Sequence, residues 1–224
     1  MPHSVEEDYL AAIYNMQMEG EPVIGARLAE IFKVKAPTVS QTLHRLEKQH
    51  LVVVDAHRRL ELTPDGRAAA EALLRRHRLC ERFLVDVMGM QWHEVHEEAA
   101  RLEHGISPAF EAGMLAKLDS PTTCPHGNPI PGQVDAPEFL RRQHARRLDT
   151  AALDEPMLVL TISEVVEDEE ALITLLHGKG ITPGSELIVT KHVPGEPLVA
   201  RIEGRQTSIE PEVAHMVWVR PANL

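Results

Sequence analysis

The fold of this chain is decided by a stretch that reads Ala36-Pro37-Thr38-Val39-Ser40-Gln41-Thr42-Leu43-His44-Arg45-Leu46. Pro37 suits the first turn of a helix, where its missing N–H is not needed. Apolar residues then recur at helical spacing and predict one buried stripe: Val39, Leu43 and Leu46. The stretch therefore predicts an amphipathic helix over about Pro37–Gln49 whose polar face begins at its N-terminal end.

The segments on either side complete a familiar small arrangement. Two helices are predicted before it, over Ser4–Glu19 and Ile24–Phe32, and Ser4 with Glu7 forms a capping box for the first. After it, Leu51–Val54 and Leu60–Leu62 have the pattern of two strands around a polar, basic turn. Three helices followed by a β-hairpin predict a winged helix-turn-helix.

The polar face of this predicted unit suits DNA. A glutamine can pair with adenine through two hydrogen bonds, helix N-terminal amides favour phosphate, and nearby basic residues can contact the DNA backbone. The candidate contacts are Arg27, Lys35, Pro37, Thr38, Ser40, Gln41, Arg58 and Arg59, with Lys33 and Thr42 beside them. A solvated polar face, or a winged helix used for protein contacts, would show the same pattern.

Charge and composition narrow the class of protein. The chain has 224 residues and a net charge of −11, so it is not a generally basic nucleic-acid coat. Residues 23–66 carry seven bases and five acids, whereas residues 154–224 carry five bases and twelve acids. No apolar run approaches the roughly 18 residues of a membrane helix, and the acidic N-terminus lacks a signal-peptide pattern. With only Cys80 and Cys124, a disulfide framework is excluded and a cytoplasmic protein without a membrane partner is expected.

The rest of the chain changes from helical to strand periodicity. A long helix is predicted from Thr63, its N-cap, to about Val87. Further helices are predicted over Gln91–His104, Pro108–Lys117 and Glu138–Leu148, with a Pro- and Gly-rich loop over 120–137 and a linker that ends at Pro156. A small β-barrel follows, with a helix at Asp168–His177 and five strands: Met157–Ile162, Glu186–Val193, Leu198–Ile202, Gln206–Ile209 and His215–Val219.

The helical region carries residues that suit a divalent transition metal, which binds neutral imidazole nitrogen and anionic oxygen. His77 and Glu81 share a helix face at i, i+4, and His96, Glu103 and His104 share another with Ala100. The loop adds Cys124 and His126, which can place a thiolate and an imidazole on one ion. Each group has a plainer reading, as an exposed helix pair or as a structural loop with an incidental cysteine. Cys80 is expected to be a buried small hydrophobe.

Six runs stand in order along the chain: Glu7-Asp8-Tyr9-Leu10 through Ile13-Tyr14, Pro37-Thr38-Val39-Ser40-Gln41, Leu62-Thr63-Pro64-Asp65-Gly66, Arg76-His77-Arg78-Leu79, Val95-His96-Glu97-Glu98-Ala99-Ala100 with Glu103-His104, and Pro125-His126-Gly127-Asn128-Pro129-Ile130-Pro131-Gly132. Together they resemble the diphtheria-toxin-repressor family of iron- and manganese-dependent transcriptional regulators, and the manganese-responsive branch in particular. The resemblance covers essentially the whole chain.

The resemblance implies an α+β fold in three parts. These are a winged helix-turn-helix DNA-binding domain over 1–64, a helical dimerisation and metal-binding domain over 65–148, and a C-terminal SH3-like β-barrel over 156–224. It also implies a homodimer that binds a palindromic operator when it is loaded with metal.

The resemblance implies a first metal site at Asp8, Glu103 and His104. Iron-type members have Met at the Asp8 position and Cys at the Ala100 position, and manganese-type members have Asp and Glu there. This chain has the Asp but an Ala at 100, and Ala11 stands where manganese-type members have a further acid. Water or the Ala100 carbonyl is expected to substitute, and the oxygen-rich donors favour Mn²⁺ over Fe²⁺.

The resemblance implies a second site at His77, Glu81, Cys124 and His126, with an acid from the SH3-like domain. Asp168 is the best positional match for that acid, and Glu169 and Glu164 are further candidates. His96, a ligand in iron-type relatives, is a weaker candidate beside the Cys-Pro-His loop.

The function expected is metal-dependent repression of metal-uptake genes, by a mechanism in which metal binding and DNA binding are thermodynamically linked. Other divalent transition metals are expected to bind in vitro. The main alternative is a metal-storage or chaperone protein whose winged helix contacts other proteins. A hydrolase is the third reading, but no nucleophile–base–orienter set or small organic substrate is indicated, so an enzyme is not expected.

Overall fold

A computed structural model describes residues 5–223 of the chain. The N-terminal domain has three helices and a hairpin: α1 (Val5–Glu19), α2 (Gly25–Ile31), α3 (Ala36–Lys48), β1 (Val52–Val54) and β2 (Leu60–Leu62). The predicted capping box depends on Ser4, which lies outside the described residues. The predicted helices and strands are otherwise confirmed to within a residue or two.

The N-terminal domain is built around α1. Tyr9, Leu10, Ile13 and Tyr14 of this helix are almost completely buried, and the predicted stripe of α3 packs on the same core. The two strands pair antiparallel, with Val52 opposite Leu62, and so form the wing of a winged helix. A left-handed residue, Lys33 at φ 51°, makes the turn between α2 and α3.

The helical domain follows with four helices: α4 (Pro64–Asp86), α5 (His96–Leu102), α6 (Pro108–Lys117) and α7 (Ala136–Arg142). Thr63 caps α4 by accepting a hydrogen bond from the Gly66 N–H, as predicted. The helix predicted over Gln91–His104 is only partly correct, because α5 begins at His96 and continues as a short 3₁₀ helix over Glu103–Gly105. The Trp92 carbonyl lies 2.8 Å from His126 Nε2, and this contact uses an acceptor that a helix would need.

The C-terminal domain contains one antiparallel sheet. Its strands are β3 (Arg146–Arg147), β4 (Pro156–Ile162), β5 (Glu186–Lys191), β6 (Leu198–Ile202), β7 (Arg205–Ile209) and β8 (Val217–Pro221). Their order across the sheet is β3-β8-β4-β5-β6-β7. Helices α8 (Glu169–Gly178) and α9 (Pro211–His215) complete it. Alternating side chains fill its core, as in β5, where Leu187 and Val189 are buried.

The segment between the helical and C-terminal domains differs from the prediction. A helix over Glu138–Leu148 and a free linker were expected, but α7 ends at Arg142, β3 pairs with β8, and Leu148 starts a 3₁₀ helix with its side chain fully buried. Arg147 explains the difference. Its guanidinium lies over the Trp218 ring and pairs with Glu19 and Glu21 of the N-terminal domain, so the segment is held down. Within residues 5–223, no helix is both long and apolar enough to cross a membrane.

Candidate metal centre and DNA-binding surface

Three imidazole rings converge on one carboxylate oxygen of α4. Glu81 Oε1 lies 3.1 Å from His77 Nε2, 3.4 Å from His96 Nδ1 and 3.1 Å from His126 Nδ1. Helical spacing places His77 and Glu81 on one face, α5 supplies His96, and the loop before α7 supplies His126. The Glu81 side chain is 1% exposed. We call His77, Glu81, His96, Cys124 and His126 the buried cluster.

The loop that carries Cys124 and His126 is fixed against the C-terminal domain. Gly127, at φ 85°, sits so close to β4 that a Cβ would lie 2.0 Å from the Leu160 carbonyl oxygen, so only glycine fits. Asn128 donates from Nδ2 to the Ile162 carbonyl and accepts from the Thr161 hydroxyl. The loop is therefore positioned by both the helical and the C-terminal domain.

The charges in the buried cluster shift its titration strongly. Burial lowers the pKa of His96, but the charges of Glu169 and Glu81 outweigh it and raise the pKa to about 9. The pKa values of His77 and His126 are raised in the same way, against burial, chiefly by Glu81. Burial raises the pKa of Glu81, but His126 and His77 hold it well below its usual range. The charged forms of these groups are therefore favoured, and a divalent ion that binds among them would displace protons.

The donor set and its buried atoms fit a transition metal. Two groups place one ligand atom from each member within 4.8 Å of the others, namely His77 with Glu81 and His96, and Glu81 with Cys124 and His126. Within the described residues, Glu81 Oε2 is buried and forms no hydrogen bond, and His126 Nδ1 is buried and lies 3.1 Å from Glu81 Oε1 outside hydrogen-bond geometry. Since a buried polar atom is costly to leave unpaired, these atoms suit direct bonds to a cation. Burial raises the pKa of the Cys124 thiol, so metal binding there would also displace a proton.

The residues expected at the first site lie beside the buried cluster. His77 Nδ1 is 2.6 Å from Glu103 Oε2, and His104 Nε2 is 3.2 Å from Glu103 Oε1. Asp8, Ala100 and Glu103 line one cavity of about 320 Å³ between α1, α4, α5 and the segment before α8. No sulfur atom lines this cavity in the described part of the chain. Glu103 is thus shared between the two predicted sites, a link that the sequence did not indicate.

Asp168 is not where the sequence placed it. Its side chain caps α8 by accepting a hydrogen bond from the Ala171 N–H, and its other oxygen lies 3.9 Å from Lys33 Nζ, with more than half of the side chain exposed. The next residue, Glu169, has the position expected of the acid, because its Oε1 lies 3.4 Å from His96 Nδ1. Adjacent residues at the start of a helix point in different directions. A shift of one position therefore decides whether Asp168 or Glu169 reaches the cluster. His96, the weaker candidate, lies inside it.

Cys80 faces a different environment from Cys124. It is buried with Leu79, Leu84 and Val95 in the apolar core of the helical domain, as predicted. Burial raises the pKa of its thiol to about 12. A neutral thiol in an apolar core suits packing rather than metal binding.

The candidate DNA contacts share one exposed surface formed by α3 and the wing. The exposed members are Lys35, Pro37, Thr38, Ser40, Gln41, Arg58 and Arg59. Arg27 of α2 is partly occupied by Glu30, 2.7 Å away. Asp55 accepts hydrogen bonds from the His57 and Arg59 backbone N–H groups and so shapes the wing. Thr42 is buried and donates to the Thr38 carbonyl, so it faces the core rather than the surface.

Sequence comparisons agree with this geometry domain by domain. Residues 3–60 match the family model described as the iron dependent repressor N-terminal DNA binding domain. Residues 63–132 match the iron dependent repressor metal binding and dimerisation domain, and residues 153–221 match the FeoA domain. The chain belongs to the iron-dependent repressor family. The resemblance to diphtheria-toxin-repressor proteins is therefore confirmed.

Individual repressors of this family are similar over almost the whole chain. The iron-dependent repressor IdeR of Mycobacterium leprae (strain TN) is 40% identical over 219 residues, 95% of each chain. The diphtheria toxin repressor of Corynebacterium jeikeium (strain K411) is 37% identical over 204 residues, 83% of this chain and 85% of that one. These relatives are named as repressors, so the reading as a non-enzymatic, metal-dependent DNA-binding repressor is confirmed.

Solved structures of manganese regulators have the same fold. A manganese-dependent transcriptional repressor in complex with manganese is 34% identical, with a TM-score of 0.82. The match covers 97% of this chain and 100% of that chain. The manganese regulator SloR is 28% identical, with a TM-score of 0.80, over 96% and 98% of the two chains. The α+β fold with an SH3-like C-terminal domain is thereby confirmed.

Sequence reasoning missed several residues around the centre. Arg78 and Asn15 are almost completely buried and form hydrogen bonds with Glu164, which the sequence indicates only as a candidate metal ligand. Trp92 packs on His126 and donates to His177 of the C-terminal domain. The sequence does not indicate the burial of Arg78, because Arg78 shares its helix face with charged residues such as Arg75 and Arg82.

Proposed function

We propose that this chain is a cytoplasmic homodimeric repressor of metal-uptake genes, with Mn²⁺ as its effector and Fe²⁺ second. The observation that carries the choice of metal is the cavity wall at the first site. Asp8 and Glu103 line it with Ala100 and Ala11, and no sulfur lines it among the described residues. Oxygen and imidazole donors suit Mn²⁺, whereas thiolate and thioether ligands favour softer ions.

Two groups of residues would hold metal in this proposal. Asp8, Glu103 and His104 would form the first site, and the buried cluster with Glu169 the second. The bound ions would supply positive charge that neutralises these carboxylates and replaces protons on the imidazoles. Glu103 would orient His77 through its Nδ1, as carboxylates orient ligating histidines in other metal sites. The contribution of the protein would be structural. Asp8 of α1 would share an ion with ligands of the helical domain, so that α1 would be joined to α5 and to that domain.

A second copy of the chain is the expected partner of the helical domain. Large apolar side chains are exposed just after α4 and on α5 and α6: Val87, Met88, Leu102 and Phe110. Exposed apolar side chains on one domain suit an interface. A two-fold dimer would present two α3 helices to successive major grooves of a palindromic operator. We keep the domain division at 1–64, 65–148 and 156–224 as a prediction.

The test begins with selection of duplexes from a randomised DNA pool by the Mn²⁺-loaded protein. The recovered duplex is then titrated with protein at fixed free Mn²⁺, Fe²⁺, Co²⁺ or Zn²⁺, and the metal content is measured on the same samples. We expect Mn²⁺ to support binding of the duplex at free Mn²⁺ concentrations that a cell maintains. Tighter binding of Zn²⁺ alone is not contrary evidence, because it follows the general order of metal affinities. Failure to recover any duplex in a metal-dependent way would refute the proposal.

A variant pair tests the choice of metal. Asp8→Met with Ala100→Cys introduces a thioether and a thiol into the cavity, and should move the DNA-binding response from Mn²⁺ towards Fe²⁺ and Co²⁺. Asp86→Asn on the exposed end of α4 is the control and should leave the response unchanged. An unchanged metal preference in the double variant would show that the first site does not select the ion.

A further inference from the structure

A short acidic segment lies between the buried cluster and the N-terminal domain. We call residues 164–169, between β4 and α8, the acidic strap. It belongs to the C-terminal domain, yet its side chains line the same cavity as Asp8 and His77. Three of its acids make contacts with three different parts of the chain, and these contacts are described one at a time.

The strongest contact is a closed triangle of Glu164, Arg78 and Asn15. Arg78 donates from Nε to Glu164 Oε1 (3.1 Å) and from Nη2 to Glu164 Oε2 (2.7 Å). Asn15 Nδ2 donates to the same Oε2 (2.7 Å), and Arg78 Nη2 donates to Asn15 Oδ1 (3.0 Å). Each side of the triangle is therefore a hydrogen bond between two domains: N-terminal, helical or C-terminal.

The triangle is buried, so its bonds are not weakened by water. The side chains of Arg78 and Glu164 are 3% and 9% exposed, and Asn15 is 7% exposed. Burial raises the pKa of Glu164, but the charge and hydrogen bonds of Arg78 outweigh it and hold the pKa below its usual range. A charged, bidentate pair of this kind has one favoured geometry and tolerates little displacement.

The triangle is also tied to the residues that would hold metal. Arg78 follows His77 on α4 and donates from Nη1 to the Pro129 carbonyl (2.6 Å), at the end of the loop that carries Cys124 and His126. The far end of the strap reaches the cluster through Glu169, beside His96. Movement of the loop or of the strap would therefore move a member of the triangle.

The N-terminal domain takes part through a neutral residue. Asn15 and Asp8 line the same cavity from one face of α1, two turns apart. If the Asn15 contact opens, Arg78 and Glu164 still neutralise each other, so this contact leaves no charge of that pair unpaired, while Glu19 and Glu21 also hold this domain through Arg147. The strap's other polar contact with this domain, Asp168 with Lys33, is long and exposed and contributes little, whereas its Val165 is buried in the same hydrophobic cluster as α1. Asn15 is thus a releasable attachment on an otherwise fixed ion pair.

We propose that Asn15 is the positioning residue through which occupancy of the metal centre is transmitted to the recognition helix. Metal fixes the loop, α4 and the strap, these hold Arg78 and Glu164 in place, and the pair then binds Asn15 and orients α1 and α3 for DNA. The proposal rests on the proposed function, and it adds a route independent of ligation by Asp8. It requires two arrangements of α1 that differ in this contact.

Asn15→Ala tests the proposal by thermodynamic linkage. The affinity for the selected duplex is measured with and without Mn²⁺, and the affinity for Mn²⁺ with and without duplex, by titration calorimetry. In the parent the two ratios must agree, because coupling is reciprocal. In Asn15→Ala we expect both ratios to fall about five-fold, with the Mn²⁺ content at saturation unchanged. Hydrogen exchange of the α3 amides should lose its dependence on Mn²⁺ in parallel.

Glu19→Gln is the matched control on the same helix. Glu19 also ties α1 to the C-terminal domain, through the Ser163 hydroxyl (2.7 Å) and Arg147 (2.9 Å), but within the described residues it forms no hydrogen bond or ion pair with Arg78 or the strap acids. It should lower thermal stability and leave the coupling ratio at the parental value. Asn15→Ser, too short to bridge both partners, replaces Asn15→Ala if that variant unfolds.

The outcomes separate the two proposals. A parent whose DNA affinity ignores Mn²⁺ refutes the proposed function, and this inference with it. A parent that couples, together with an Asn15 variant that keeps the parental ratio, refutes this inference alone. An equal fall in Glu19→Gln also refutes it, since general docking of α1 would then carry the coupling.

Discussion

Glu103 Oε2 lies 2.6 Å from His77 Nδ1, and this contact joins two predicted metal sites that the sequence presents as separate. His77 uses its other nitrogen towards Glu81, 3.1 Å away, so its ring is held between two carboxylates. The same Glu103 contacts His104 through Oε1. One side chain therefore has a part in both sites, and a change in it should be felt at each.

Glu103→Gln should weaken metal binding at both sites. At the first site it removes an anionic ligand, and at the second it removes the group that orients the His77 ring. Loss of such an orienting partner typically costs about 10–100-fold in metal affinity. The measurement is Mn²⁺ stoichiometry and affinity by calorimetry. Glu98 is an exposed residue of α5 that pairs with Arg101, so Glu98→Gln is the control and should leave the stoichiometry and affinity for Mn²⁺ unchanged. Retention of parental affinity at the second site would contradict the role given to Glu103.

Glu169 and Asp168 offer a test on adjacent residues. Glu169→Gln removes an anion beside His96 and should lower affinity for metal at the second site. Asp168→Asn should leave metal content unchanged, because asparagine still caps α8 and the side chain faces Lys33. Both variants are compared by metal content after dialysis against limiting Mn²⁺. The reverse result would restore Asp168 as the acid at this site.

How far the sequence predicts such details depends on the range of the interaction. The bounds of α2, α3 and α4 and the buried stripe of α3 follow from periodicity and capping, which act within a few residues, and the structure confirms them to within a residue or two. Position along the chain favours Asp168 as the acid, but a helix N-cap and the next residue point in different directions, and the sequence does not indicate which of the two faces the cluster. The local pattern predicts Arg147 in a helix, and it cannot reveal the partners that hold Arg147 in a strand, because Glu19 and Trp218 are remote in sequence. The triangle of Asn15, Arg78 and Glu164 is non-local in the same way.

Gln41→Ala should weaken binding to the selected duplex and relax its sequence preference at one position in each half-site. Gln41 is exposed near the N-terminal end of α3, where a side chain can reach base edges, and loss of one specific base contact costs about 1–3 kcal/mol. The readout is binding to the parent duplex and to single-base variants at fixed salt. Gln49→Ala, at the other end of the same helix, is the control. Unaltered affinity and preference in Gln41→Ala would show that another surface reads the bases.

Glu164→Gln should lower the stability of the metal-free protein in a way that depends on pH. At neutral pH the variant leaves Arg78 buried without its anion, and breaking a buried pair costs about 3–5 kcal/mol. The pKa of Glu164 is below its ordinary value of 4.5 in the folded protein, so the contribution of its charge is complete above that value. It is lost as the pH falls through the folded pKa, because the unfolded chain then binds more protons than the folded one. The difference in free energy of unfolding between parent and variant is measured by urea titration. It should be constant over a plateau of about one and a half pH units, from pH 7 to pH 5.5, and smaller at about pH 4. Glu98→Gln is the control and should differ from the parent by almost nothing in free energy of unfolding at any of these pH values. A difference between parent and Glu164→Gln that grew on acidification would contradict the ion pair.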